Sequence, residues 1–536
     1  MKPYKRLKDP IYGYIDISTN YMTDIVDTSS FQRLRRIIQT SYSPLYSSAV
    51  HNRFVHSLGV FHLGEIASQT IKNEILKKGF ECRNLDRTCE IFKLACMLHD
   101  VGHAPFSHTG EHFYLDDKSS YEPLHRKLIE LVGIEAFRDD VPFQDTSAAA
   151  PHEIMSAIVG IKEFNEFFHG AEEREFFARC ITGYKYSKPN DKNSIYNCFI
   201  NLLNSKVIDV DKLDYLIRDA YITGFDTVNI DYARLLQSLT LVYIDGNYEI
   251  AYYKDAISVI ENVVYAHDSE RKWIQNHPVV MYEGYILQHI ISGLNAKMNS
   301  TDSKLFSLKS LGKEKNQFDG NISISLMCDD DIIYLMKNIY SDELSEEFFE
   351  RRSRRHPLWK SEAEYKAYFD GKTKGGTVLT DFEKAMELTS RYLLKSSDSW
   401  VINESAIDKL KSDLEEVEKA SITPKTKEVQ IRDKTAILKI MECLHRYSVE
   451  NDHICDFVIL RVSQFNSGFG KPDFSKTKIV FPSAKEELIT EFGVIASSLK
   501  ARDKERDNFF YLFYKRNNNN AINKKELSKQ LLIQFF

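Results

Sequence analysis

The chain has 536 residues, of which 43% are apolar, 12% aromatic and 28% charged, and its formal net charge is −6. This balance supports a sizeable core and more than one domain, or one large domain with appendages. It argues against a dedicated polybasic nucleic-acid binder, though not against a local basic pocket. The eight cysteines form no CxxC pair and read as scattered thiols in a reducing compartment. The opening MKPYKRLKDPIYGYI has no signal-peptide apolar core and no run of about 20 apolar residues occurs, so a soluble cytoplasmic protein is expected.

Along the chain, residues 1–25 alternate Gly, Pro and aromatic residues, as in DPIYGYIDIS, and predict a turn or small β-hairpin. From about Thr28 the pattern turns helical, with Phe31, Leu34 and Ile38 at helical spacing. Helices are predicted over 53–78, 87–99, 151–168, 172–182, 193–204, 208–222, 229–240 and 255–298. Segment 300–320 is polar and loop-like, and GKTKGG at 371–376 reads as a boundary. Beyond it DFVILRVSQF, KTKIVFPS and NFFYLFYKR predict strands, EELITEFGVIASSLKAR a charged helix, and RNNNN at 516–520 a loop. No internal repeat is evident. The fold class is therefore mainly α, with a helical core over 1–370 and a smaller α+β C-terminal lobe over 371–536, regulatory or oligomeric in role.

The chemistry concentrates in LACMLHDVGHAPFSHTGEH, residues 94–112. Histidine and aspartate suit hard-to-borderline divalent metals. His99 and Asp100 end an amphipathic segment, and Val101-Gly102 opens the helix so that both can turn toward one ion. His56, in HNRFVHSLGV, is the upstream candidate ligand, and Asp211, in IDVDKLDYLIRD, the downstream one. A lone histidine is more often packed or exposed than a ligand. The four-part order H…HD…D with helical spacing at each member is a far rarer chance event.

With DPIYGYIDI, DTSSFQRLRRIIQ, HNRFVHSLGV, LHDVGHAPFSH, IDVDKLDYLIRDA and DYARLL in this order, the chain resembles the HD-domain phosphohydrolases. Among them it resembles the deoxynucleoside triphosphate triphosphohydrolases related to the vertebrate SAM-and-HD-domain enzyme and the bacterial dGTPases. The resemblance covers about residues 7–300 and continues weakly into the tail; no SAM domain is expected. It implies an HD-domain helical core whose metal ligands are His56, His99, Asp100 and Asp211, holding a divalent ion of Mn, Fe or Mg type. It also implies phosphate contact by His103, a general-acid role for His108, and a further active-site role for His152. Glu111 stands where relatives have the aspartate that orients that acid. His112 and His125 are read as structural or surface residues.

For the nucleotide, the resemblance implies phosphate contact by Lys212 and an arginine, Arg53, near the phosphates and base. Tyr215 would exclude a 2′-hydroxyl, and Asp219 and Gln39 would meet the 3′-hydroxyl. Asp211, Tyr215 and Asp219, at i, i+4 and i+8, share one helix face. Asp209 and Asp214 are read as surface or capping residues. The pattern departs from the relatives at 252–280: an arginine there is replaced by His267, with Arg271 and Lys272 near it, and a YxH pattern reads Gln275-Asn276-His277. The resemblance further implies an allosteric guanine-nucleotide site at Lys5, Asp27, Gln32 and Arg35, with Arg234 at an adjoining activator site. Lys8 stands where the family has an asparagine.

The expected activity is metal-dependent hydrolysis of deoxynucleoside triphosphates to deoxynucleoside and inorganic triphosphate, in dNTP pool control or phage defence. The partners expected are the dNTP substrate, an activating nucleotide and further copies of the chain as a dimer or tetramer. An HD-type phosphodiesterase or nuclease acting on a nucleic acid or signalling nucleotide keeps the metal but changes the substrate; the acidic balance disfavours a long polyanion. A non-catalytic nucleotide-sensing module would have lost ligands, and all four are present.

Overall fold

The computed structural model describes residues 4–535 except 83, 116–119, 146–147, 226–228, 299–303, 319–321, 340–341, 370–376, 397–399, 452–455, 463–471, 483–487, 496–508 and 516–521. The expected boundary at 371–376 and loop at 516–520 lie outside the described residues. The chain divides into two compact units, Met1–Arg271 with Asn295–Leu335 and Asn466–Lys504, and Lys272–Leu294 with Met336–Phe465 and Glu505–Phe536. Compactness thus assigns 336–369 to the second unit and 472–495 to the first, rather than following a linear division at 370.

The first unit is mainly helical. Its N-terminal strands Tyr4–Asp9 and Gly13–Ser18 form the expected antiparallel hairpin, in register from Tyr4–Ser18 to Asp9–Gly13. The helix Arg53–Lys78 starts on Asn52, whose side chain accepts from the Val55 amide, and ends on Gly79 at φ 67°. The helix Leu85–Leu98 carries Ile91, Phe92, Leu94, Ala95, Met97 and Leu98, all nearly inaccessible to solvent. Each large apolar side chain buried there contributes about 1.5–3 kcal/mol. This helix packs against Arg53–Lys78 and Ala171–Thr182, so it is central rather than amphipathic at the surface. Pro151–Glu163, Asp191–Leu203 and Val210–Thr223 complete the helical surround.

Three segments differ from expectation. Over 229–240 the helix covers only Tyr232–Gln237, and the chain then enters a hairpin, Leu239–Ile244 with Asn247–Tyr253. Asp245 and Gly246, at φ 51° and 83°, make its two-residue turn, the Asp-Gly geometry that matches strand twist. In the tail, Leu488–Glu491 of the expected charged helix is a strand, followed by one helical turn, Phe492–Ile495. It pairs with Lys478–Phe481, which runs parallel to Asn247–Tyr253 and closes a four-stranded sheet. The span 255–298 is interrupted between Ile257–Glu270 and Pro278–Met298, where Pro278 cannot donate to a preceding turn.

The second unit holds the helices Thr377–Lys395, Glu404–Lys419, Pro424–Glu450 and Lys524–Ile533 around an antiparallel sheet, His356–Pro357, Phe509–Tyr514 and Val458–Val462. Trp359, Tyr365, Phe369 and Phe382 pack in its core, with Phe369 and Phe382 stacked and Trp359 edge-on to Tyr365, and the Trp359 indole donates to the Phe510 carbonyl. No helix among the described residues is long and apolar enough to cross a membrane.

Candidate metal centre and active site

Three helices and one loop converge on the candidate ligands. His56 lies one turn into Arg53–Lys78, His99 and Asp100 follow Leu85–Leu98, and Asp211 lies in the first turn of Val210–Thr223. His56 Nε2 stands 2.9 Å from Asp211 Oδ1 and 3.2 Å from His99 Nε2, and His99 Nε2 is 3.7 Å from Asp211 Oδ1. Asp100 closes the group, with Oδ2 3.6 Å from His56 Nε2 and Oδ1 3.5 Å from His99 Nε2. Two imidazole nitrogens facing each other between two carboxylates form a donor set that suits a divalent cation.

The second nitrogen of each histidine is committed elsewhere. His99 Nδ1 donates to the Cys96 carbonyl at 2.9 Å, and His56 Nδ1 to Asp214 Oδ2 at 2.7 Å. Each such bond leaves the Nε2 lone pair free for a ligand. Asp214 is fully buried, so its reading as a surface or capping residue is corrected. The signal was present: Asp211, Asp214 and Arg218 at i, i+3 and i+7 define a second helix face. Asp209 does cap, accepting from the Lys212 amide at 2.7 Å, but it too is buried.

Two glycines allow the close approaches. A Cβ on Gly59 would fall 1.8 Å from Asp214 Oδ1, and one on Gly102 would fall 2.4 Å from the Ser156 amide nitrogen. Gly102 therefore lets the chain after His99-Asp100 lie against the backbone of Pro151–Glu163. Next, Phe106 and Ser107 take φ of 56° and 53°, a left-handed pair that costs non-glycine residues energy. Asp329 Oδ1 accepts from the Phe106 amide at 2.7 Å, while Ser107 Oγ donates to the Ile38 carbonyl at 2.5 Å and accepts from Arg53 Nε at 2.9 Å. That turn carries His108.

His103, His108, Glu111 and His152 come together beside the metal ligands. The rings of His103 and His152 stack at 4.2 Å, and both meet His108 edge-on at 5.3 and 5.1 Å. Glu111 spans the pair, Oε2 accepting from His152 Nδ1 at 2.5 Å and Oε1 from His108 Nδ1 at 3.3 Å. Its extra methylene over aspartate thus still reaches His108. Asp100 Oδ1 lies 3.7 Å from His103 Nε2 and so borders both clusters. One nitrogen from each of the three histidines lies within a span of 4.8 Å, close enough to hold a cation. Burial opposes a proton on His152, but the Glu111 carboxylate outweighs it and raises His152 to about 9. Burial, then Arg53 and the neighbouring imidazoles, push His103 well below the ordinary range, so it is neutral. Both His103 nitrogens are buried without a hydrogen-bond partner.

Arg53 binds Asp100 Oδ2 through Nη1 at 2.8 Å, next to the metal ligands. Gln39 is buried and its Oε1 lacks a partner. Asp219 is buried against His51, 2.6 Å from its Nε2. His51 opens the HNRFVHSLGV motif but carried no expectation of its own. Tyr215 is half-buried on the same helix, and burial raises its phenol well above the ordinary range. The Lys212 ammonium is held by Asp209 Oδ2 at 2.5 Å and the Ser205 carbonyl at 2.6 Å. His267 lies on Ile257–Glu270, 3.6 Å from the Asp268 carboxylate. The five allosteric candidates are at the surface or half-buried. Lys5 pairs with Asp27 at 3.7 Å, Gln32 donates to the Val26 carbonyl and accepts from Arg35, and Arg35 covers the Phe54 ring. Arg234 is exposed on Tyr232–Gln237.

Residues 53–150 match the model of the HD domain. The chain is 30% identical to the deoxynucleoside triphosphate triphosphohydrolase SAMHD1 of Danio rerio over 250 residues, 46% of this chain and 38% of that one. It is 30% identical to the SAMHD1 homolog of Dictyostelium discoideum over 237 residues, 44% and 40% of the two chains. It is also 30% identical to an uncharacterized protein of Mycoplasma genitalium over 261 residues, 48% and 52%. The matches thus span about half, or less, of these relatives' lengths. A crystal structure of a hypothetical protein from Aquifex aeolicus shares the fold at a TM-score of 0.54 and 18% identity, covering 99% of each chain. The chain carries an HD domain, and over about half its length it resembles the HD-domain deoxynucleoside triphosphate triphosphohydrolases.

Proposed function

We propose that the protein is a metal-dependent HD-domain phosphohydrolase that cleaves deoxynucleoside triphosphates to deoxynucleoside and inorganic triphosphate. The observation that carries this reading is the junction of two clusters at Asp100, one of metal-ligand type and one of proton-donor type. His56, His99, Asp100 and Asp211 would hold a divalent ion, which when bound polarises a phosphoryl oxygen and acidifies a coordinated water. The chain's own groups supply the rest. The α-phosphorus–O5′ bond breaks as water adds to phosphorus, and the departing O5′ takes a proton from His108, which Glu111 orients. His152, charged beside Glu111, donates to phosphate oxygens, and neutral His103 contacts them. Arg53 adds a fixed positive charge. Lys212 reaches phosphate only by leaving Asp209.

The sugar would lie against Tyr215, which leaves no room for a 2′-hydroxyl. Its 3′-hydroxyl would donate to Asp219, with the buried Gln39 amide approaching the same oxygen. The set of exposed Lys5, Asp27 and Arg35 with half-buried Gln32 suits a guanine nucleotide bound between copies of the chain, with Arg234 contributing to an adjoining activator. In each case a carboxylate or amide faces a matching donor.

The test is product analysis with Mn²⁺ and each dNTP and NTP, singly and mixed, on the wild type and on Asp211→Ala. Triphosphate release from dNTPs, exceeding that from NTPs and lost with bound metal in the variant, is expected. Release of mono- or diphosphate, or cleavage of a polynucleotide, would replace this reading with a phosphodiesterase or nuclease. Silence toward all substrates by metal-loaded protein would leave the sensing module.

A further inference from the structure

We propose that Tyr12 and Asp9, at the turn of the N-terminal hairpin, are positioning residues for the ligand His56, acting through Asp214 and Arg218. The inference rests on the metal-centre reading and adds to it a control element that supplies no ligand.

The chain of contacts is continuous and dry. Asp214 Oδ2 accepts from His56 Nδ1 at 2.7 Å and from Arg218 Nε at 2.9 Å, while Oδ1 accepts from the Tyr12 hydroxyl at 2.7 Å and from Arg218 Nη2 at 2.9 Å. A carboxylate offers about four lone-pair directions, so this one is fully subscribed and cannot rotate. Arg218 Nη1 continues to Asp9 Oδ2 at 3.0 Å, and Asp9 Oδ1 accepts from the Ile11 and Tyr12 amides at 2.8 and 3.0 Å. His56 and Asp214 are 0% exposed, Arg218 1%, Asp9 5% and Tyr12 9%. No water therefore competes for these bonds, and a change at the hairpin turn must be taken up by the carboxylate that sets the His56 tautomer and ring angle.

Why a hairpin would be recruited follows from the geometry. Gly59 opens the space in which Asp214 lies beside the Arg53–Lys78 helix, and a carboxylate there needs donors from more than one side. Arg218 serves it from its own helix, one turn on. Tyr12 serves it from a segment 202 residues distant in sequence. Partners that orient a ligating histidine typically change metal affinity 10- to 100-fold when removed, and Tyr12 stands one bond further out.

The test uses full-length wild type, Tyr12→Phe, Asp9→Asn and Asp214→Asn, titrated with Co²⁺ against a chelator, with the visible ligand-field bands and the metal-free melting temperature recorded for each. Asp214→Asn is expected to weaken Co²⁺ binding about 10- to 100-fold. Tyr12→Phe and Asp9→Asn should weaken it less, by about 3- to 10-fold, with shifted bands, because the carboxylate is retained but loosened. Wild-type affinity and bands in both hairpin variants would overturn the positioning role, whatever happens to their melting temperatures. Wild type that takes up no Co²⁺ would overturn the metal reading itself, and this inference with it.

Discussion

The imidazoles divide by what their second nitrogen does. In His56 and His99 Nδ1 is committed to a carboxylate and a carbonyl, and their Nε2 atoms face each other; in His152 and His108 Nδ1 meets the shared Glu111 carboxylate, which orients both rings. His108→Ala is therefore expected to lower kcat by about 10²–10⁴ with metal content unchanged, because the lost donor acts at the leaving oxygen. Saturating kinetics and elemental analysis on one preparation check this, and near-normal kcat would remove the role. His125 belongs to neither group. It is buried, with Nε2 on the Tyr184 hydroxyl at 2.7 Å, and burial pulls it down to about 4. Its folded value lies below the unfolded one, so the stability it confers is present above about pH 6.5 and is lost as pH falls toward 4, by at most about 3 kcal/mol. Urea midpoints between pH 7 and 4 should fall less steeply in His125→Gln than in wild type. The sequence nominated the candidate ligands because each sits in a dense motif. It gave no role to His51 and marked Asp214 only as part of a helix face, because both roles depend on burial and on partners far along the chain.

At the scale of elements, the site depends on how closely helices approach. The Arg53–Lys78 and Val210–Thr223 helices meet where Gly59 has no side chain, and a methyl there would overlap Asp214. Gly59→Ala should destabilise the fold by about 1–3 kcal/mol and weaken metal binding together, since the displaced carboxylate is the one that holds His56. Chemical denaturation beside metal titration checks it; unchanged values for both would show that the helices separate freely. The long helices were legible, because Asn52, Asp209, Pro151 and their apolar periods mark starts and faces that local sequence controls. Only Leu239 and Thr240 of the Leu239–Tyr253 hairpin fell within a predicted helix, and the rest carried no expectation, although Asp245-Gly246 between alternating runs is a hairpin signal. There the apolar residues of LTLVYI satisfy either period over so short a run.

For the whole molecule, compactness does not follow chain order. Lys478–Phe481 joins the first unit by pairing in parallel with Asn247–Tyr253, across more than 200 residues of intervening chain. No local pattern announces such a pairing. The regulatory proposal belongs to this scale as well. If a guanine nucleotide bridges copies at Lys5, Asp27, Gln32 and Arg35, mass action should favour the oligomer, and coupling to substrate affinity should be reciprocal. GTP or dGTP is expected to enlarge the particle in light scattering and to stimulate hydrolysis of other dNTPs, with both effects absent in Asp27→Ala at unchanged metal content. One mass and one rate with and without guanine nucleotides would make these residues part of the entry helix and hairpin alone.

By itself the sequence determined the helical character of the core and the hairpin at the start, and it nominated the four candidate ligands. These follow from spacing, caps and donor chemistry, which act over a few residues. Tertiary structure alone decided that Asp214 is a buried partner of His56 rather than a surface charge, that Lys212 rests on Asp209, and that a tyrosine of the first hairpin reaches the metal ligand's carboxylate. The reason is physical: a carboxylate's role is set by which donors surround it and whether water is excluded, and both are properties of packing between distant segments.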